Sequence, residues 1–146
     1  MVHVHAAPPE HHAWIAERAR LALHPGFMAL EAVDESGRIL AMVGYELGWP
    51  GTVMMHVAID HPHALKHILR PGFGAAFDAP PRGFGKVAAT VTVLSTNTRS
   101  LRLVEHLGFR HIHTGRDYWA SGVHIEFFEM KREDCRFIPR ALRRAA

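Results

Sequence analysis

At 146 residues the chain has the length of one domain, large enough to bury a core without disulfide or metal staples. Its composition, 48% apolar and 21% charged, fits a soluble globular protein. One cysteine, Cys135, excludes an internal disulfide framework and fits a reducing cytosol, and no apolar run is long enough to span a membrane. The first residues, Met1-Val2-His3-Val4-His5, lack the basic start and apolar core of a signal peptide, so a cytoplasmic location is expected. The net charge of +3 is uneven: residues 131–146 hold six basic side chains against Glu133 and Asp134. This gives a domain over residues 1–135 and a basic tail over 136–146, expected to be solvated. A nucleic-acid partner would rest on that tail alone and is not expected.

Pro8-Pro9 breaks the chain before residues 10–23, where Trp14, Ile15, Ala19 and Leu23 recur at helical spacing and Pro25-Gly26 supplies a stop. Residues 27–34 and 38–46 read as strands on either side of the turn Glu35-Ser36-Gly37. Residues 52–60 form a third strand, with Val53, Met55, Val57 and Ile59 on one face and Met54, His56, Ala58 and Asp60 on the other. A helix follows over 62–70, with Leu65, Ile68 and Leu69 as its apolar side. Pro71-Gly72 is expected to interrupt it before it resumes over 74–77. Residues 79–85 form a loop into the strand 87–94, rich in β-branched side chains.

Asn97 to Arg110 is the most informative stretch. Asn97 is a helix N-cap, Gly108 a left-handed C-terminal stop, and Leu101, Leu103, Val104 and Leu107 share one side. Arg99, Arg102 and His106 are left for solvent or a ligand. The free amides of such a helix start, placed at the end of a strand, favour an anion. Two strands over 109–118 and 123–131, joined by Ala120-Ser121-Gly122, complete the chain.

The pattern Asn97-x-x-Ser100-x-x-Leu103-x-x-x-Leu107-Gly108-Phe109-Arg110 after a Val-rich strand resembles the Gcn5-related N-acetyltransferase (GNAT) superfamily, closest in motif to its ribosomal-protein acetyltransferase branch. The resemblance implies an α/β (α+β) fold: a central mixed, mostly antiparallel sheet of six or seven strands, splayed between the fourth and fifth, with about four helices. It also implies transfer of an acetyl group from acetyl-CoA, as co-substrate, to a small-molecule or protein amine by direct attack. A homodimer is compatible with it. Acetyl-CoA would lie along the backbone of Val57, Ala58 and Ile59, place its pyrophosphate over His63, Ala64 and Lys66, and pass Asn97 and Ser100.

Two departures stand out. Many members carry a glycine-rich loop where this chain has Asp60-His61-Pro62-His63-Ala64-Leu65-Lys66, with no glycine, and many carry a tyrosine where this chain has Val104. They keep open an alternative, a catalytically inactive GNAT-fold protein that binds CoA or a partner. For the base that accepts the amine's proton, His56 ranks first, because imidazole titrates near neutrality; Glu46 is second and Glu126 third. Tyr118-Trp119 would line the acceptor cleft or pack at its edge. The thirteen histidines include no His-Glu-x-x-His and have no cysteine pair beside them, so no metal is expected.

Overall fold

The computed structural model describes residues 1–144. In chain order it contains β1 (His3–Ala6), α1 (His12–Ala19), β2 (Met28–Val33), β3 (Ile39–Glu46), β4 (Thr52–Ile59), α2 (Leu65–Phe77), β5 (Ala88–Leu94), α3 (Thr98–Leu107), β6 (Arg110–Ala120), β7 (Val123–Lys131) and α4 (Arg140–Arg143). The strands form one seven-stranded sheet in the order β1-β2-β3-β4-β5-β7-β6. Every neighbouring pair is antiparallel except β4 and β5. Those two run parallel and pair only over Thr52↔Ala88, Val53↔Ala89 and Met54↔Thr90 before they part. The expected splay between the fourth and fifth of the main strands is therefore present.

Side-chain alternation on β4 sorts the two layers. Val53 and Met55 point toward α2 and α3 and join Ile68, Phe73, Phe77 and Phe128 in the larger core. Ala58 points the other way, toward α1, and packs with Ile15, Phe27 and Met42 in the smaller one. Both faces of the central strands are thus covered, and their sequences are apolar on both sides.

Three elements differ from the sequence-based expectation. Helix α1 ends at Arg20 rather than at Pro25-Gly26, because Arg20 takes a left-handed conformation (φ 54°) and the amides of Arg20 and Leu21 both close on the Ala16 carbonyl. This is a Schellman-type end without its usual glycine, held by Leu21 folding back onto the α1 cluster. Helix α2 runs through Pro71 without interruption. Pro71 and His67, whose carbonyl loses its partner, both lie on the exposed side, where water can satisfy it. Ile68, Phe73, Ala76 and Phe77 hold the other side against the sheet, and the Tyr45 hydroxyl donates to the Gly72 carbonyl at 2.6 Å. The basic tail, in turn, is not simply solvated. Ile138 enters the core with Phe137 and Leu142 packed against it, and Arg136 donates to the His106 and Leu107 carbonyls at 2.6 and 3.2 Å, where the α3 dipole is negative. Residues 145–146 of that tail lie outside the described residues. Strand β1, which pairs with β2 from His3↔Val33 to Ala6↔Leu30, is an addition to the strands read from the sequence.

Gly44 on β3 is required by a close approach. A Cβ there would fall 2.4 Å from the Phe27 ring, which also lies against the rings of His12 and His56. Gly44→Ala is expected to destabilise the fold by about 1–3 kcal/mol through overpacking. Denaturant unfolding checks this, and an unchanged midpoint would show that Phe27 moves aside freely.

Candidate active site

Beyond Met54 the edge of β4 that faces β5 has no ladder partner. The amide of Asp60 bonds to the Leu40 carbonyl on β3. By the antiparallel alternation, Ala58 and His56 also direct their backbone groups to β3, whereas Val57 and Ile59 direct theirs into the gap toward β5. Of the three backbone positions that the resemblance implies for a cofactor, two therefore offer an open N–H and C=O, and Ala58 does not.

A groove of about 590 Å³ runs along this edge, with Val57 and Ile59 on one wall and α3 on the other. Asn97 caps α3 by accepting from the Ser100 amide at 3.1 Å, and Gly108 closes its far end at φ 103°. Both residues do what their types dictate. Asn97 and Ser100 line the groove, as do Arg99, Arg102 and His106, which share a helix face at spacings of three and four. Arg18 reaches in from α1, stacked on Trp14 at 3.7 Å and held by two 3.0 Å bonds to Asp60. That guanidinium holds the Asp60 carboxyl below the usual carboxylate range.

The segment at the start of α2 is arranged differently from a glycine-rich anion loop. The Asp60 and His61 amides both go to the Leu40 carbonyl, Pro62 has none, the Ala64 amide goes to His61 and the Leu65 amide to Pro62. The Ala64 side chain is buried in the core, Lys66 is exposed, and His63 is exposed with its ring against His61. None of these three lines the groove, while Pro62 and Leu65 do.

At the mouth of the splay, Glu46 at the end of β3 bridges two histidines. Its Oε2 meets His56 Nε2 at 2.6 Å and its Oε1 meets His24 Nε2. Burial pushes the Glu46 carboxyl up, but its hydrogen bonds to His56 and His24 outweigh this and hold it below the usual range, so it is anionic. His24 is raised, chiefly by Glu46 and then by the Pro25 carbonyl, which its Nδ1 meets at 3.3 Å. A carboxylate on one nitrogen and a carbonyl on the other both favour a proton there. For His56 the carboxylate selects the Nε2–H tautomer, leaving the Nδ1 lone pair, which has no partner among the described residues. The 13% exposed His56 side chain lines a small hollow of about 130 Å³ with Val91 to Leu94, Asn97 and Ser100, between the parted strands. On the other side, Glu46 and His24 line a second hollow of about 460 Å³, floored by Met54 and Thr90, the last paired residues before the splay.

Glu126, the third candidate, is not brought to this place. It pairs with Val93 and Thr114, on the sheet face opposite His56, and accepts from Thr114 Oγ1 at 2.8 Å and meets His111 at 2.7 Å. Tyr118 and Trp119 are 63% and 50% exposed near the tip of β6, with Tyr118 packed over Gly115. No sequence signal marks Arg18 or His24. Neither lies in a motif, and only the fold sets them opposite Asp60 and Glu46. Among the described residues no three His, Cys, Asp or Glu side chains converge as metal ligands, and no helix is long and apolar enough to cross a membrane.

No family model and no curated protein sequence matches the chain. Solved structures do. Spermidine N-acetyltransferase of Vibrio cholerae superimposes with a TM-score of 0.72 at 8% identity, covering 96% of this chain and 98% of that one. Nourseothricin acetyltransferase gives 0.66 at 14% identity, over 89% and 98%. An Acinetobacter baylyi protein whose acetyltransferase activity is itself only inferred gives 0.71 at 17%, over 92% and 94%. The chain has the GNAT fold, and at these identities the likeness is one of fold.

Proposed function

We propose that the protein transfers an acetyl group from acetyl-CoA to a primary amine by direct attack. The observation that carries this reading is the Glu46–His56 pair, set at the mouth of the β4/β5 splay between a cofactor-sized groove and a second hollow. The acetyltransferases among the structural neighbours, and the spermidine of one of them, agree with an amine acceptor. The groove suits the cofactor. Its extended amide-bearing arm can pair with the open Val57 and Ile59 backbone, and its phosphates can meet Arg99, Arg102 and the capped start of α3.

The chemistry then needs little. The acceptor amine gives its proton to His56 Nδ1, directly or through a water, while Glu46 holds the opposite Nε2–H. The amine nitrogen bonds to the acetyl carbon. The oxyanion that forms takes an N–H from the open β4 edge, and collapse breaks the carbon–sulfur bond and releases CoA as a thiolate. With Val104 where relatives carry a tyrosine, the thiolate leaves without that donor, which a thiol's modest basicity permits. The buried Cys135 thiol, raised by burial, fits a reducing compartment. A second reading, a GNAT-fold CoA or partner binder without turnover, draws on the engaged amides before α2.

Calorimetry with CoA and a thiol-release assay over an amine panel separate the two readings. Saturable CoA binding with amine-dependent thiol release supports the enzyme, and binding without release supports the second reading. No binding at millimolar CoA would end both. Asn97→Ala is expected to lower stability by about 1 kcal/mol through the lost cap and to weaken CoA binding. Ser100→Ala should weaken binding with an unchanged unfolding midpoint, and equal effects of the two variants on stability would argue that the cap is not the difference.

A further inference from the structure

The second hollow, of about 460 Å³, has a chemistry that selects among amines. Its walls are Leu47, Trp49, Met54 and Pro25, with Thr52 and Thr90 as neutral polar groups, and Trp49 stands 74% exposed at its rim. Glu46 is the one carboxylate among its lining residues, and both of its oxygens are already engaged by His24 and His56. The charge that remains nearby is positive. His24, whose ring is engaged by Glu46 and the Pro25 carbonyl, lies on the wall, and Lys86 Nζ is tied to the Trp49 and Pro50 carbonyls at 3.3 and 2.9 Å. Glu129, on the same sheet face through its pairing with Thr90, is met by Arg110 and Lys131. An unpaired charge carried into an apolar wall is strongly disfavoured, and here a second ammonium would find no second carboxylate among the lining residues.

We propose, resting on the acetyl-transfer reading, that the acceptor is a primary monoamine on an aromatic or bulky apolar body, an arylalkylamine in chemical class, and not a polyamine or other polycation. The body seats against Trp49, Met54 and Leu47, where burial of apolar surface, ring stacking and sulfur–aromatic contact supply the affinity. The single nitrogen points along Glu46 toward His56, whose ring borders the gap that the thioester would occupy. A linear polyamine offers little apolar cross-section to these walls and brings two or more extra charges with no counter-ion.

The test compares kcat/KM for phenethylamine, tryptamine, spermidine and a short peptide with a free N-terminus, by thiol release from acetyl-CoA, alongside thermal shifts with each amine alone. The aryl monoamines are expected to exceed spermidine and the peptide by at least about tenfold. Trp49→Ala, a change at an exposed hairpin, should raise KM for tryptamine by about fivefold or more with kcat within about twofold. Thr90→Asp, which adds the carboxylate that the hollow lacks, should shift the ratio toward spermidine. A preference for spermidine or the peptide, with thiol released, overturns the substrate class and leaves acetyl transfer standing. Thiol release from none of the four, with a thermal shift from tryptamine but not spermidine, overturns acetyl transfer and retains the selectivity of the hollow. Neither release nor shift overturns both.

Discussion

Replacing His56 with alanine is expected to lower turnover about a hundredfold to ten-thousandfold at neutral pH, with acetyl-CoA affinity within a factor of a few. Among the described residues the ring is the imidazole at the splay whose second nitrogen is open, and its partner Glu46 lines the second hollow rather than the groove along α3. Glu46→Gln tests the same pair from its other end. A glutamine can turn its NH2 toward Nε2 and favour the Nδ1–H tautomer, which has no lone pair for the amine proton. The loss should be about tenfold or more in kcat, and Glu46→Asp should not restore it if the shorter arm cannot reach both rings. Stopped or steady-state thiol release reads both variants, with circular dichroism to show that each is folded. A His56→Ala protein with wild-type turnover on a confirmed amine would remove the base from this position.

The same geometry fixes the direction of the pH dependence. Protonation of His56 removes its acceptor lone pair, so the rate should fall on the acid side. This fall can be separated from unfolding by the sign of the carboxylate shift. Glu46 is held below its ordinary value, so its contribution to stability is complete above the ordinary carboxylate value of 4.5 and is lost only as pH drops through the lowered one. Above that ordinary value the Tm contribution of this carboxylate is constant, so a fall in rate there is not the loss of its stabilisation. His24 works in the opposite sense. Raised in the fold, it stabilises most below its ordinary value of 6.5 and loses that contribution as pH rises through the raised one, loosening the 24–26 loop at the rim of the acceptor hollow.

Much of the fold was legible because its signals are local. Asn97 and Gly108 mark the ends of α3 by backbone chemistry that needs no tertiary context, and the alternation over 52–60 assigns both faces of β4 before any partner strand is known. Arg20 and Pro71 show where local signals fail. A left-handed non-glycine residue closes α1 because Leu21 gains a core contact, and a proline stays inside α2 because Phe73 and Phe77 are already anchored. The site divides in the same way. His56 and Glu46 are readable as strand residues near the splay, but their 2.6 Å contact comes from the β3/β4 register, in which Glu46 stands opposite Met54 rather than His56. His24 and Arg18 reach the site only through the packing of α1 and its following loop, which no spacing in the sequence encodes.

Removing Arg99 and Arg102 together is expected to raise the Kd for acetyl-CoA about tenfold to a hundredfold at low salt, the largest binding effect of any change in the groove. The reason lies in what the chain lacks. Where a glycine-rich loop would present several free amides to a pyrophosphate, the amides of Asp60, His61, Ala64 and Leu65 are bonded internally and Pro62 has none. Lys66 and His63 do not line the groove, and Arg18 is balanced by Asp60. On the proposed function, the positive side chains on the groove face of α3 would hold the phosphates, with the α3 N-terminus behind them. Side-chain cations act through solvent-exposed charge, so their contribution is screened where backbone amides would be much less affected. Wild-type affinity should therefore fall steeply between low salt and about 1 M, where the Debye length is only about 3 Å, and the double variant should show a much flatter dependence. Calorimetric titrations of both proteins at two salt concentrations decide it. A Kd that is insensitive to salt and unchanged in the double variant would mean that the phosphates lie on backbone groups after all, and that the segment before α2 rearranges to free them.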